Sequence, residues 1–144
     1  MAFNIRVYGI LRNDKDEILL SDERRFGKRF TKFPGGGLEQ GEGIKDCLIR
    51  EFEEELNLPI EVKELIYLTD FYQPSAFNEN DQIISVYYSV FSPHLDLIQV
   101  KNTPFDFKEN EIESHRWMKL SELSTDEVTF PIDKHVVELL IKNS

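Results

Sequence analysis

The segment FPGGGLEQGEGIKDCLIREFEEELNL, from Phe33 to Leu58, joins a run of glycines to a strongly acidic stretch. Four of the five residues from Glu51 to Glu55 are glutamate. Such a concentration of carboxylates is typical either of a solvated helix face or of a site that holds a positive ion. The spacing of the neighbouring residues distinguishes these two interpretations.

Residues Gly43 to Leu56 are predicted to form a helix. Apolar residues recur at Ile44, Leu48, Phe52 and Leu56, with no proline or internal glycine between them. At 3.6 residues per turn this spacing places the four apolar side chains on one face, which is expected to meet the core. The sequence Asn-Leu-Pro that follows is expected to end the helix.

Glu51, Glu54 and Glu55 fall on the side of this helix that borders the apolar face, whereas Glu53 points away. Burying several carboxylates together is costly, because each loses hydration and they repel one another. A bound cation removes both costs, and oxygen ligands favour Mg²⁺ or Mn²⁺, with Ca²⁺ also compatible. The glycines are expected to form a turn that lets the backbone approach a ligand closely, which favours an ion site over a solvated face carrying an ordinary Arg50–Glu54 pair.

The composition sets the broad class of the protein. The chain has 144 residues and a formal net charge of −10, which suits one domain over residues 1–144 and argues against a nucleic-acid duplex or an anionic membrane as partner. Its single cysteine, Cys47, excludes an internal disulfide and is expected to be a buried thiol. The sequence shows neither a signal peptide nor a run of membrane-spanning length, so a cytoplasmic location is expected.

The order of predicted elements indicates an α/β (α+β) fold. A second helix is expected at Pro131 to Lys142, with proline in its first turn. Residues Lys101 to Asn110 are expected to form a loop. The predicted strands are Phe3 to Leu11, one starting at Ile18 to Leu20, Val62 to Tyr72, Gln82 to Phe91 and His115 to Met118.

The acidic helix and its glycines resemble the Nudix box, G-x5-E-x7-R-E-U-x-E-E-x-G-U, in which U is apolar. Gly36 starts the match, Glu42 and Arg50 follow at the required spacings, and the glutamates after Arg50 complete it. Asn57 stands where the pattern has glycine, a mild departure because asparagine also tolerates the left-handed conformation of a helix C-terminus. The likeness to the Nudix hydrolase family extends to most of the chain, although only the box is specific.

This resemblance implies a Nudix fold, a mixed β-sheet sandwiched between α-helices. It also implies hydrolysis of a nucleoside diphosphate linked to another group, with Mg²⁺ or Mn²⁺ as cofactor and a small nucleotide as the binding partner. Many members form dimers, so a homodimer is one expected state. In the family's pattern the metal ligands are Glu51, Glu54 and Glu55, often joined by a backbone carbonyl, here that of Gly36 or Gly37. Glu42 and Arg50 are expected to orient them.

The sequence leaves more than one candidate for the general base. Glu51 is one candidate, and Glu111, a loop acid six residues before Trp117, is the other. Glu109 and Glu113 are nearby rivals. Each loop acid is also compatible with an ordinary surface position. The predicted catalytic set is therefore Glu51, Glu54, Glu55, Arg50 and Glu111.

The substrate is less closely defined. Predicted substrate contacts are Arg25 and Arg29, from the basic segment before the glycines, with Phe33, Tyr72 and Pro74. Fifteen residues separate Leu58 from Pro74, and in the family a proline near that spacing accompanies ADP-ribose preference. The alternatives are a nucleoside triphosphate pyrophosphohydrolase and a non-catalytic Nudix domain that senses a ligand or binds a protein.

Overall fold

The computed structural model describes residues 1–144 and contains two β-sheets and two α-helices. Short 3-10 turns cover Leu95–Leu97, Leu120–Glu122 and Thr125–Glu127. The strands are β1 (Phe3–Leu11), β2 (Glu17–Arg25), β3 (Lys28–Lys32), β4 (Gly35–Gly37), β5 (Glu61–Leu68), β6 (Gln82–Phe91) and β7 (Glu113–Lys119), and the helices are α1 (Ile44–Leu56) and α2 (Pro131–Lys142).

The larger sheet is mixed and the smaller one is antiparallel. The larger has the order β4-β1-β6-β5, in which β1 runs parallel to β6 and the other pairs are antiparallel. The smaller has the order β3-β2-β7. The resemblance implied one mixed sheet, whereas the strands here divide into two hydrogen-bonded sheets.

Side chains that alternate along β1 fill two cores, one on each side of the strand layer. Val7 and Leu11 pack in the cluster that contains Phe52 of α1, whereas Tyr8 and Ile10 pack in the cluster that contains helix α2. Because strand side chains alternate between the two faces, β1 packs against both helices. The predicted fold class, with β-structure between helices, is confirmed.

The two predicted helices occur almost at their predicted bounds. Helix α1 begins at Ile44 after the cap Gly43, and Asn57 ends it with φ of 50°, in the left-handed conformation expected there. Helix α2 spans Pro131–Lys142, as predicted. Ile44 was wrongly assigned to the core: it is exposed, and Cys47 is buried in its place on the inner face.

Two segments differ from the sequence-based predictions. The glycines form strand β4, which pairs antiparallel with β1, rather than a turn. Gly35 has φ of 146°, and a Cβ atom there would lie 2.1 Å from the carbonyl oxygen of Val7, so this close pairing requires glycine. Strand β5 ends at Leu68, short of the predicted Tyr72.

Neither helix is long and apolar enough to cross a membrane.

Candidate active site

Helix α1 and strand β4 bring the box glutamates against the glycine backbone. A Cβ atom on Gly36 would lie 2.5 Å from the carboxyl carbon of Glu51, so a side chain at this position would displace that carboxylate. The Glu51 side chain is only 13% exposed. The glycine is therefore required for close approach, and the structure places Gly36 and Glu51 together as predicted.

Glu55 is a carboxylate without a hydrogen-bonding partner. Its Oε2 atom is buried and receives no hydrogen bond from the protein. Burial raises the pKa of Glu55 to about 8, and the nearby charges of Glu113, Glu23 and Glu51 add to the increase. An orphaned buried oxygen next to other carboxylates is the environment that a cation stabilises, so this part of the site fits a divalent metal.

Glu54, the third predicted glutamate ligand, is more exposed to solvent than the other two. Glu54 is 60% exposed and pairs with Arg50, whose Nη1 lies 3.2 Å from its Oε2. As the side chains stand, no three acidic, histidine or cysteine side chains converge closely enough to hold a metal ion. The donor set of Glu51, Glu54 and Glu55 fits Mg²⁺ or Mn²⁺ by chemistry, since all three offer carboxylate oxygens.

Arg50 ties the box together. Its guanidinium donates to both oxygens of Glu42, to Oε1 of Glu51 at 3.1 Å, and to the carbonyl oxygen of Gly37 at 3.2 Å. Hydrogen bonds from Arg50 lower the pKa of Glu42 to about 2, so this pair stays ionised. These contacts bring Glu42, Arg50 and Glu51 together; the role of Glu42 and Arg50 in orienting metal ligands stays a prediction.

A buried ion pair lies beside the glutamates. Lys32 Nζ is 2.9 Å from Oε2 of Glu23, and it also donates to the carbonyl oxygens of Phe33 and Gly35. Burial opposes the charge of Lys32, but Glu23 and Glu55 outweigh burial and raise its pKa. Lys32 therefore supplies permanent positive charge to a site rich in carboxylates, and it anchors the entry to β4.

The acidic site opens into a cavity of about 390 Å³. At one end the lining includes the β4 glycines, Glu51 and Glu55. The opposite wall consists of three phenylalanine rings in mutual contact, with centroids 5.2 to 6.0 Å apart: Phe30, Phe77 and Phe130. Phe26 lies at the edge of the cavity and contacts only Phe77 among these rings. The cavity thus combines an acidic end with an aromatic end, and its size suits a small ligand.

Asp133, in the first turn of α2, lines the same cavity. It is 2% exposed, and the hydroxyl of Tyr87 donates to its Oδ1. Burial raises the pKa of Asp133 to about 6. A buried carboxylate that faces a cavity can accept hydrogen bonds from a ligand's N–H or O–H groups.

Two of the five predicted substrate contacts line the cavity, Arg25 and Pro74. The other three do not. Phe33 is fully buried and packs edge-on against Tyr87, since its side chain faces the core of α2. Tyr72 is 68% exposed outside the cavity, and Arg29 lies over the ring of Phe105.

The predicted loop base is not brought to the site. Glu111 accepts a hydrogen bond from the backbone amide of Lys108 and lies 3.8 Å from Lys101. Glu113 is closer to the acidic group: its side chain is 25% exposed and approaches Arg25. Burial raises the pKa of Glu113, and the charges of Glu23 and Glu51 raise it further.

Sequence reasoning did not single out Glu23 or Asp133. Glu23 lies in β2, where the sequence continues with charged residues that look like a surface, and only pairing with β3 buries it beside Lys32. Asp133 could have been noticed, because it stands three and four residues before Val136 and Val137 on the apolar side of α2. A carboxylate in such a position is unusual and is a signal for a functional cavity.

Comparison with known proteins confirms the resemblance. The NUDIX domain model matches residues 2–140, and the chain therefore belongs to the NUDIX family. Nucleoside diphosphate-linked moiety X motif 6 from Homo sapiens is 29% identical over 126 residues, covering 87% of this chain and 37% of that protein. An RNA pyrophosphohydrolase from Hahella chejuensis (strain KCTC 2396) is 37% identical over 57 residues, covering 40% of this chain and 34% of that protein.

The chain spans little more than a third of the length of the human relative. Among solved structures, the E. coli ORF135 protein superposes with a TM-score of 0.69 at 19% identity, over 99% of this chain and 91% of that chain. A likeness at this level of identity establishes the fold.

Proposed function

We propose that this chain is a divalent-metal-dependent pyrophosphohydrolase that cleaves the diphosphate bond of a nucleoside diphosphate linked to another group. One observation carries the proposal: a single cavity joins the glutamates beside Gly36 to an aromatic wall. A diphosphate needs positive charge at the acidic end, and a nucleobase stacks on aromatic rings at the other. Membership of the NUDIX family supports the same class of reaction.

Glu51, Glu54 and Glu55 would hold Mg²⁺ or Mn²⁺, with the backbone at Gly36 alongside. The ion would neutralise the diphosphate oxygens and acidify a bound water. Arg50 keeps the carboxylate of Glu51 in place, and Lys32 adds positive charge beside Glu55. For the general base, Glu51 and Glu113 are the candidates whose surroundings fit, because both lie within the acidic group.

The nature of the linked group is part of the proposal. Pro74 lines the cavity, which supports the ADP-ribose-like substrate suggested by its spacing from the box. Asp133 offers a hydrogen-bond acceptor for N–H groups of a base or hydroxyl groups of a sugar. A nucleoside triphosphate presents the same diphosphate and base, so it is the second candidate substrate.

A substrate panel tests the proposal. The purified chain is incubated with Mg²⁺ or Mn²⁺ and ADP-ribose, sugar nucleotides, NADH, dinucleoside polyphosphates or nucleoside triphosphates, and the phosphate-containing products are quantified. We expect cleavage of one class, abolished by chelator and by Glu54→Gln, and retained in Glu53→Gln, which removes an exposed charge on the far side of α1. Metal binding without turnover of any compound would contradict the proposal and favour a ligand-sensing domain.

A further inference from the structure

The hairpin that joins β2 to β3 carries an unusual concentration of positive charge. In a chain of net charge −10, the six residues from Arg24 to Arg29 include four cations and no acid. Across the hairpin, Arg24 pairs directly with Arg29 and Arg25 pairs directly with Lys28. Like charges in directly opposite positions of an antiparallel pair repel one another and weaken the hairpin.

The turn of this hairpin adds a second local cost. Phe26 and Gly27 connect the strands with φ of 54° and 72°. Positive φ at both residues is what a tight two-residue hairpin requires, and asparagine, aspartate or glycine normally supplies it. A phenylalanine in this conformation is rare, and backbone strain of this kind collects at ligand sites.

The ring of Phe26 is largely exposed to solvent, so burial of this hydrophobic side chain contributes little to stability. The side chain is 82% exposed, yet its ring contacts Phe77 at a centroid distance of 5.7 Å at the edge of the cavity. Phe26 lines both this cavity and a second groove on its other side. The ring therefore stands on the ridge between the two.

The second groove is lined by the hairpin cations and contains no acidic residue. Lys28 and Arg29 form no ion pair; their charged groups lie over the rings of Phe77 and Phe105. Arg24 donates only to backbone carbonyl oxygens, among them that of Glu111, so its charge is also uncompensated by a carboxylate. The groove is thus suited to phosphate groups.

We propose that the β2–β3 hairpin binds the nucleotides that follow the first one of a single-stranded RNA whose 5′ polyphosphate occupies the cavity. The second base stacks on Phe26, and the phosphodiesters beyond it lie along Lys28, Arg29 and Arg24. Arg25, the fourth cation, is already paired with Glu23 and Glu113. Aromatic rings alternating with cations are the general means of holding single strands without sequence preference. The inference rests on the diphosphate-binding part of the function proposed above, because the cavity must receive the 5′ end.

The groove favours a nucleotide chain over a dinucleoside polyphosphate. Both ligands place a second base at Phe26, but only a chain continues with phosphates into the groove beyond it. A duplex does not suit this arrangement, because its bases are already stacked on one another and cannot lie on the ring. The local positive charge is small against the net acidity of the chain, so only strands that also use the cavity are expected to bind.

The test compares kcat/KM for a short single-stranded RNA bearing a 5′-triphosphate, the matching nucleoside triphosphate and a dinucleoside polyphosphate. Phe26→Asn removes the ring while supplying a residue that tolerates positive φ, and Phe26→Tyr keeps the ring. We expect Phe26→Asn to reduce kcat/KM about 10-fold for the RNA and not for the nucleoside triphosphate. Phe26→Tyr is expected to behave as wild type, and thermal melting of each variant confirms folding.

A binding measurement separates this inference from the proposed reaction. In a Glu54→Gln background, fluorescence anisotropy of the 3′-labelled RNA is followed as salt increases. Lys28→Gln is expected to reduce the slope of log K against log salt by about 0.7, the value for one lost phosphate contact on a single strand. Lys142→Gln, at the far end of α2 from the cavity, makes the same charge change and should leave the slope unchanged.

Each result has one meaning. RNA binding that depends on Phe26 and Lys28, without turnover of any substrate, would support the hairpin site and contradict the proposed hydrolysis. Turnover of mononucleotides with equal effects of Phe26→Asn on all three substrates would overturn the hairpin site and leave the hydrolysis standing. An effect of Phe26→Asn confined to the dinucleoside polyphosphate would also overturn the assignment to RNA.

Discussion

Arg50 binds Glu42 through two parallel hydrogen bonds, from Nε to Oε2 at 2.9 Å and from Nη2 to Oε1 at 2.7 Å. The two residues are eight positions apart, and the bonds fasten the segment before α1 to the helix. The same guanidinium also reaches Glu51, which faces Gly36. Arg50 therefore connects the loop, the helix and the glycine strand around the acidic site.

Replacing Arg50 by lysine should lower metal affinity or metal-dependent activity without unfolding the protein. Lysine keeps the charge but cannot form the paired hydrogen bonds to Glu42 and reach Glu51 as well. We expect Arg50→Lys to lower activity or metal affinity about 10- to 100-fold, the usual effect of losing a group that orients metal ligands. Initial rates measured across a Mg²⁺ titration test this. An unchanged titration in the variant would show that Arg50 is dispensable for positioning.

The neighbouring glycines allow a matched comparison at the glutamates. A Cβ atom on Gly36 would press on the Glu51 carboxylate at 2.5 Å, whereas one on Gly37 would meet only Arg6 Nη1 at an ordinary 3.5 Å. Gly36→Ala is therefore expected to abolish turnover, and Gly37→Ala is expected to retain most of it. The substrate panel described above measures both variants. Equal loss in the two would mean that β4 is merely intolerant of side chains.

The sequence predicted the helices better than the parts of the site that depend on strand pairing. Helix α1 follows from local spacing and from Asn57, and both were visible in the sequence. The β2–β3 hairpin was missed because its turn contains Phe26 in place of the usual turn residues. Phe33 was assigned to the substrate although it lies in the core, because strand geometry decides which face a residue takes.

Some carboxylates of the site could be predicted from local sequence, whereas others are placed only by strand pairing. Glu55 was predicted to border the core from its angle on the helix, and its orphaned oxygen agrees. Glu23 and Lys32 form their pair only because β2 and β3 are hydrogen-bonded neighbours, so neither is marked by local sequence. Glu113 rather than Glu111 approaches the acidic group, since the chain enters β7 at that residue. Local patterns define helices, whereas the cavity is assembled from distant segments.

Metal should stabilise the folded chain through Glu55. A cation that binds only the folded state contributes about 2.7 kcal/mol at a hundred times its Kd, which corresponds to a Tm increase of about 5–10 °C for a domain of this size. We expect Mg²⁺ or Mn²⁺ to raise the Tm of wild type and of Glu53→Gln, and to have little effect on Glu55→Gln. Differential scanning fluorimetry with and without chelator measures this. A full metal response in Glu55→Gln would remove Glu55 from the ligand set.

Asp133, which is not one of the proposed metal ligands, should make the free energy of unfolding depend on pH. Burial raises its pKa from an ordinary 3.8 to about 6. Between these values the folded protein retains a proton that the unfolded chain has released, so the free energy of unfolding falls as pH rises from about 4 to about 6. At 1.36 kcal/mol per unit, the decrease due to this residue is about 3 kcal/mol.

Asp133→Asn is expected to remove that part of the pH dependence, because the amide does not ionise. Urea denaturation of wild type and variant at pH values on either side of this window isolates the effect, since every other titrating group is common to both proteins. The difference in unfolding free energy between them should shift by about 3 kcal/mol in favour of the variant as pH rises through the window. Parallel pH profiles for the two proteins would show that the carboxylate is solvated through the cavity and ionises normally.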